Sequence, residues 1–192
     1  MIVSTKYGKI EGLTTSYLNA SGPLKSISKF LGVPFASPPV GDLRFKAPQP
    51  PMDWKPNIRP TQTHGNICWQ RKTFEFMIKP LAFVQNFSYS EDCLYLDVYT
   101  PNVSSRLPVM VYIHGGGYEV GTAITYPSDI LALHGVVVGV IQYRLGPFGF
   151  LTTGNSTAPG NLGMLDQVEA LSGYETALRI LAGIPARLPY LV

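Results

Sequence analysis

The stretch Leu107-Pro-Val-Met-Val-Tyr-Ile-His-Gly-Gly-Gly117 is an apolar segment that runs directly into three glycines. Its residues Val109 to Ile113 form an apolar run too short for a helix, which predicts a strand buried on both faces. Glycines allow positive φ angles and let a ligand approach successive backbone N–H groups. Such groups can hold a developing oxyanion, and losing one donor costs about 3 to 4 kcal/mol in studied enzymes. The alternative is a tight loop that merely follows a strand.

Further strands are predicted from apolar runs, period-two alternation and β-branched content. They are a hairpin over Met1 to Leu13, a strand over Ile27 to Phe35 that ends at Pro34, a strand over Leu94 to Thr100, and a strand over Gly135 to Tyr143. Leu94 to Thr100 is expected to pair with Leu107 to Ile113 as its neighbour. Gly135 to Tyr143 is the most β-prone run and is expected to be a central strand.

The remaining segments predict coil and helix. Pro34 to Pro51 has too many prolines for a helix or an interior strand and is expected to be extended coil. Asp129 to His134 reads as a short helix, and Pro147 to Thr153 as a turn-rich loop.

A longer helix is predicted after Asn161, which is an N-cap candidate. It continues past Gly173, although glycine costs about 1 kcal/mol relative to alanine, and stops at Pro185. Its apolar residues fall at helical spacing, at Met164, Leu165, Val168 and Leu171.

Composition restricts the class of protein. The 192 residues fit one domain or a piece of a larger one, and 45% apolar with 14% charged residues is typical of a folded globular chain. The net charge of +3 is spread along the chain, so no nucleic-acid partner is indicated. The longest apolar run, Ile130 to Ile141, is too short to span a bilayer, which predicts no transmembrane segment. No cofactor or metal motif is present.

Two features favour a secreted protein or an extracellular location. Cys68 and Cys93 are the only cysteines; a disulfide between them would contribute roughly 3 to 3.5 kcal/mol, and two buried thiols are the alternative. Candidate glycosylation sequons occur at Asn19, Asn86, Asn102 and Asn155. Against this, Met1 to Lys9 turns polar too early for a secretory signal.

Five segments occur in the order found in one known family. They are Phe30 to Phe45, Glu91-Asp-Cys-Leu-Tyr-Leu-Asp-Val-Tyr-Thr-Pro101, Leu107 to Gly117, Gln142 to Leu151, and Gly160 to Leu171. Together they resemble the type-B carboxylesterase family, the cholinesterase-like branch of the α/β-hydrolase fold. The resemblance implies the incomplete N-terminal portion of that α/β fold, with a mixed, mostly parallel central sheet and an N-terminal hairpin. Residues 1–171 would belong to this domain, and residues 172–192 would form a divergent tail, helical and then coil.

The resemblance also implies roles for the glycines and cysteines. Gly116 and Gly117 look like backbone donors of the family's oxyanion hole, with Gly115 leading into them. Cys68 and Cys93 look like the family's first disulfide.

Two ion pairs are implied in the same way. Arg44 with Glu91, and Arg144 with Asp166, look like structural pairs of this fold. Removing one partner of a fully desolvated pair costs about 3 to 5 kcal/mol. From the residues alone, Arg44 and Glu91 could equally be two solvated side chains.

The chain departs from the family at the nucleophile. The family uses a serine in a Gly-x-Ser-x-Gly elbow, followed by an acid and a histidine. The nearest string here, Gly154-Asn-Ser-Thr-Ala158, lacks the last glycine and lies in a predicted loop. His64, His114 and His134 precede any nucleophile or stand in the wrong motif. We therefore expect no catalytic serine, acid or histidine, and no esterase activity from this chain alone.

The likeness ends after Leu171, so we expect roughly the first third of a larger hydrolase of small carboxylic esters. The alternative is a neuroligin-like adhesion protein that binds a protein partner without catalysis. A cholinesterase is disfavoured, because Phe83 or Gln85 stands where those enzymes place a tryptophan that stacks on quaternary ammonium. Trp69, next to Cys68, lies in the wrong place for that role.

Overall fold

A computed structural model describes residues 1–19, 22–72, 75–78 and 87–182. Within these residues the chain forms ten strands, which are β1 (Ile2–Ser4), β2 (Lys9–Glu11), β3 (Leu13–Asn19), β4 (Gly22–Pro34), β5 (Ile58–Pro60), β6 (Ile67–Cys68), β7 (Tyr89–Ser90), β8 (Tyr95–Thr100), β9 (Val109–Ile113) and β10 (Val137–Ile141). The α-helices of the same residues are α1 (Glu75–Ile78), α2 (Asp129–Ala132), α3 (Gly146–Phe150) and α4 (Leu162–Ala182).

The central sheet contains five strands in the order β3-β4-β8-β10-β9. The predicted mixed α/β architecture is confirmed. Among the described strands of this sheet, however, only β9 and β10 pair in parallel, and the other neighbours are antiparallel. A parallel pair needs a crossover connection, and the segment between β9 and β10 supplies one that contains α2.

The strand order corrects one prediction, because β10 lies between β8 and β9 and these two do not pair. All five residues of β10 are buried, whereas Met110, Tyr112 and Ile113 of β9 are only half-buried. Val137 and Ile141 pack into the core on one face of the sheet, and Val138 and Val140 into the core on the other. β10 therefore takes the interior position that its apolar sequence requires, and β9 lies at the border.

The N-terminal hairpin is present as predicted. β1 and β2 pair antiparallel from Ile2 opposite Glu11 to Ser4 opposite Lys9, and β5 adds to β2 in parallel. β4 ends at Pro34, and the proline-rich coil after it contains only a short 3-10 turn, Gly41–Leu43, among its described residues.

The predicted turn-rich loop after Arg144 is wrong in part, because α3 occupies most of it. Pro147 stands in the first turn of α3, where its missing N–H has no helical partner to lose. Gly149 lies against the end of β10, where an added Cβ would be 2.2 Å from the carbonyl oxygen of Arg144.

α4 begins after Asn161, whose carbonyl accepts hydrogen bonds from the N–H groups of Met164 and Leu165 at 3.1 and 3.2 Å. The helix passes Gly173 as predicted, and Pro185 lies outside the described residues.

The apolar spacing in α4 does not mark its buried face. Met164, Leu165 and Val168 are 37%, 41% and 58% exposed, while Asp166 and Ala170 are fully buried. Leu171 packs against the edge of the core. No helix in the described part of the chain is both long and apolar enough to cross a membrane.

Candidate functional site

The loop after β9 presents a run of unpaired backbone N–H groups. Gly116, Gly117 and Tyr118 have φ angles of 128°, 63° and 60°. Among the described residues, the N–H groups from Gly115 to Tyr118 donate no hydrogen bond, and these four residues are exposed. Successive N–H groups in such conformations form a concave site that favours negative charge.

Neighbouring segments hold this loop in place. The Gly116 carbonyl accepts hydrogen bonds from the N–H groups of Glu119 and Val120, both at 3.2 Å. A Cβ at Gly116 would lie 1.9 Å from the Val120 carbonyl oxygen, so the turn requires glycine there. The side-chain amide of Gln70 donates to the Gly121 carbonyl at 2.7 Å and accepts from its N–H at 2.8 Å. The loop is therefore fixed by itself and by the segment that follows Cys68.

His114 forms the buried base of the loop. Its residue surface is 2% exposed, and its ring stacks on Tyr143 with centroids 4.5 Å apart. The Tyr143 hydroxyl donates to the His114 carbonyl at 2.8 Å. Burial lowers the pKa of His114 to about 4, so the imidazole is neutral at pH 7. The histidine supports the glycine loop rather than projecting from it.

A cavity of about 790 Å³ opens beside the loop. Gly117 contributes to its wall from the loop, and α3 contributes Phe148 and Phe150. Tyr118 and Trp69 add two more aromatic side chains. The site thus combines backbone donors with an apolar chamber large enough for a small organic molecule.

The predicted disulfide is present, with the sulfurs of Cys68 and Cys93 2.07 Å apart. Trp69 follows Cys68 directly, and the disulfide helps to bring this indole to the cavity. The Trp69 ring also stacks on Tyr89 at a centroid distance of 6.1 Å. Phe83 and Gln85, on which the argument against a cholinesterase depended, lie outside the described residues.

Arg44 and Glu91 meet in a two-pronged pair between the proline-rich coil and the disulfide segment. The Arg44 Nε–Glu91 Oε2 and Nη2–Oε1 distances are 2.5 and 2.7 Å. The hydrogen bond and negative charge of Glu91 raise the pKa of Arg44 above its ordinary value. Because the Arg44 side chain is 47% exposed, solvent weakens the attraction.

Arg144 and Asp166 form a second pair that is almost completely buried, with side chains 4% and 0% exposed. Asp166 accepts hydrogen bonds from Arg144 Nε at 2.8 Å, Nη2 at 2.7 Å and the backbone N–H at 3.0 Å. Arg144 Nη1 donates to the Lys46 carbonyl at 2.9 Å. This pair joins the segment after β10, α4 and the proline-rich coil.

The remaining residues singled out from the sequence are the four sequon asparagines, His64 and His134. Asn102 and Asn155 are exposed; the side chain of Asn19 and all of Asn86 fall outside the described residues. His64 pairs with Asp97 at 2.7 Å, and His134 is exposed after α2. Glycosylation of these asparagines remains a prediction.

The string Gly154 to Ala158 lies between α3 and α4, and its serine is exposed. The Asn155 side-chain oxygen accepts hydrogen bonds from the Thr153 hydroxyl and the Thr157 N–H, at 2.8 and 2.9 Å. In the described parts of the chain, no three His, Cys, Asp or Glu side chains gather in a way that could hold a metal ion.

Sequence reasoning missed Tyr118 and Gln70. Tyr118 stands next to the glycine run, so its position could have marked it as part of the site. Gln70 could not have been found in this way, because it is 51 residues from the glycine whose backbone it holds.

The mixed sheet, the glycine loop after β9 and the adjoining apolar cavity are consistent with a partial α/β-hydrolase fold. The chain belongs to the carboxylesterase family, whose model matches residues 1–174.

Individual relatives agree with this assignment. The chain is 43% identical to carboxylesterase 5A of Mus musculus over 187 residues, which is 94% of this chain and 32% of that protein. It is 44% identical to the cocaine esterase of Homo sapiens over 193 residues, or 97% of this chain and 34% of that protein. The chain thus spans about a third of the length of the curated relatives it matches. These relatives are named as esterases, so the adhesion alternative is not favoured.

Proposed function

We propose that the loop from His114 to Gly117 and its cavity bind a carboxylic ester, with the ester carbonyl at the N–H groups of Gly116 and Gly117. The observation that carries this proposal is the run of N–H groups that have no hydrogen-bond acceptor among the described residues and that reach a 790 Å³ aromatic-lined cavity at Gly117 and Tyr118. Membership of the carboxylesterase family supports it.

The chemistry of the loop follows from its donors. When a nucleophile attacks an ester carbonyl, the oxygen becomes an oxyanion, and preorganised N–H groups stabilise it more than they stabilise the neutral ester. Each donor contributes about 3 to 4 kcal/mol to the lowering of the barrier in studied enzymes. The attachment of the loop to Gln70 is what would keep Gly116 and Gly117 preorganised.

The nucleophile is a separate requirement. The 192 residues contain no Gly-x-Ser-x-Gly elbow, so this part of the site binds and polarises an ester without supplying the attacking serine. We expect the 192-residue chain alone to hydrolyse p-nitrophenyl acetate no faster than the blank. Turnover that persists through repurification would contradict this expectation.

Oxyanion binding is tested by titrating the ¹⁵N-labelled chain with methyl phenylphosphonate, an aryl compound that carries a tetrahedral oxyanion. We expect the amide protons of Gly116 and Gly117 to move downfield, because their N–H groups would donate to the phosphonate oxygens. Benzyl alcohol has the ring without the anion and should leave these two signals in place.

Two glycine variants make the test specific to the loop. Gly116→Ala should abolish the response, since its Cβ would collide with the Val120 carbonyl. Gly135→Ala is the matched control: Gly135 also has a positive φ, of 85°, but it has open space around it. An unchanged response in Gly116→Ala, or no response in the unmodified chain, would overturn the proposed function.

A further inference from the structure

Tyr118 has an unusual backbone conformation directly beside the candidate oxyanion donors. Its φ of 60° lies in the left-handed region, which aromatic residues rarely adopt. The Gly146 N–H donates to the Tyr118 carbonyl at 2.7 Å and so ties the residue to the start of α3. An unfavourable conformation that the surrounding structure maintains at a site suggests a function for the residue.

The ring of Tyr118 packs against two other aromatic rings, of which Tyr143 is buried and Phe150 is partly buried. Its centroid lies 5.1 Å from that of Phe150, with the ring planes at 53°, and 6.4 Å from that of Tyr143, at 67°. Tyr143 stacks in turn on His114. Tyr118 is nevertheless 50% exposed and lines the cavity. One part of the ring is thus fixed by packing while another part is available to a ligand.

Four aromatic side chains, from Trp69, Tyr118, Phe148 and Phe150, make up much of the described lining of the cavity. Among the described lining residues, the charged side chains are Arg71 and Glu119, which pair at 3.8 Å and are 75% and 60% exposed. A charged group placed deep in the cavity would lose water without gaining a buried partner. Uncharged apolar groups, and flat aromatic ones above all, fit this lining.

We propose that Tyr118 is a specificity-determining residue whose ring gives the cavity a preference for uncharged esters with an aromatic group. This inference rests on the proposed function of the loop. Gly117 and Tyr118 both line the cavity. An ester whose carbonyl oxygen meets the N–H of Gly117 would therefore place its remaining groups close to the Tyr118 ring.

The test compares benzyl acetate with cyclohexylmethyl acetate, two neutral esters of similar size that differ in aromaticity. The chain contains two tryptophans, and Trp69 lines the cavity, whereas the Trp54 indole donates to the Lys9 carbonyl in the N-terminal sheet. In ¹H–¹⁵N spectra the Trp69 indole signal should therefore move on titration and the Trp54 signal should not. The Trp69 shift gives a Kd for each ester, and the ratio of the two Kd values is the preference.

Two truncations suit the positive φ at position 118. Tyr118→Gly and Tyr118→Asn both accept that conformation and remove the ring, whereas Tyr118→Phe keeps it. We expect both truncations to reduce the preference for benzyl acetate about fivefold, the size of an aromatic contact. Tyr118→Phe should leave the preference unchanged.

Failure of this inference is distinguishable from failure of the proposed function. An unchanged preference in both truncations, or an equal loss in Tyr118→Phe, overturns the role of the ring while the phosphonate response of Gly116 and Gly117 stands. Loss of the folded spectrum in both truncations would make the ring structural and also overturn the inference. No phosphonate response in the unmodified chain overturns the proposed function itself.

Discussion

His114 is buried and His64 is partly buried, and their neighbours move their pKa values in opposite directions. Burial alone would lower the pKa of His64; the hydrogen bond and charge of Asp97 outweigh it and raise the pKa overall. The same Asp97 accepts the Gly32 N–H at 2.8 Å, so the carboxylate also anchors β4. His114 has no such partner, and burial lowers its pKa. The folded state therefore favours the protonated form of His64 and the neutral form of His114.

The His64–Asp97 pair predicts a pH-dependent stability. A folded pKa above the unfolded value of about 6.5 means that the contribution is complete below pH 6.5 and is lost as pH rises through the raised pKa. We expect His64→Gln to cost more free energy of unfolding at pH 6 than at pH 9, as measured by urea denaturation. Because His114 weakens the fold as pH falls from 6.5 toward 4, the quantity compared is the difference between the unmodified chain and the variant at each pH.

His134→Gln provides the control for this measurement, since His134 is exposed. A pH dependence of the same size in this variant would assign the His64→Gln effect to loss of a histidine rather than to loss of the pair with Asp97. A His64→Gln difference that is constant, or that grows with pH, would show that the ion pair makes no net contribution.

At the scale of secondary structure, α4 shows how a buried ion pair can select a helix face. Asp166 must meet Arg144, and Gly163 lies one turn earlier on the same side of α4. A Cβ at Gly163 would lie 2.5 Å from the Arg144 carbonyl oxygen, so α4 approaches the end of β10 too closely for a side chain. Because this close contact and the ion pair fix which face of α4 is buried, Met164, Leu165 and Val168 lie on the exposed face.

The two glycines of α4 should respond oppositely to alanine. Helix propensity alone favours alanine by about 1 kcal/mol at either position. At Gly163 the clash with the Arg144 backbone should outweigh that gain, and we expect Gly163→Ala to lower the free energy of unfolding by about 1 to 3 kcal/mol. Gly173 is the matched control, because its added Cβ would lie 3.8 Å from Phe35, an ordinary contact.

Gly173→Ala should therefore raise the free energy of unfolding by up to about 1 kcal/mol. Urea denaturation of both variants tests this pair. Stabilisation by both alanines would mean that α4 does not approach the Arg144 backbone as closely as the structure has it.

For the molecule as a whole, the sequence predicted those features that depend on short stretches of neighbouring residues. The N-terminal hairpin, the end of β4 at Pro34 and the interior position of β10 follow from alternation, proline and a β-branched run. The disulfide depended on the family resemblance. The neighbours of β10 were not predictable, because the apolar pattern of a strand shows that it is interior and does not show which two strands flank it. The pairing of β8 with β10 instead of β9 was therefore missed. The buried face of α4 was also missed, since a charged residue, Asp166, occupies it and periodicity counts only apolar residues.

The described residues also present apolar surface in two places, beside β9 and on α4. β9 ends the order of the described sheet, and Tyr126 and Leu131 beside it are 39% and 42% exposed. On α4, Leu165 and Val168 are 41% and 58% exposed. Exposed apolar patches and an open strand edge favour association between copies of a chain. The chain corresponds to about a third of its relatives' length, so its surfaces in isolation need not match those of such longer proteins.

We expect the isolated 192-residue chain to self-associate through these apolar surfaces, that of α4 included, as its concentration rises. Val168→Lys places a charge on the most exposed of the described apolar side chains of α4 and should reduce the increase in weight-average mass measured by light scattering. Leu18→Lys is the control: Leu18 is 94% exposed but lies in β3, at the opposite edge of the sheet. It adds the same charge without touching the proposed contact, and should leave the association unchanged. Equal reduction by both lysines would assign the effect to net charge. A constant monomeric mass for the unmodified chain would show that its exposed apolar surfaces do not cause association.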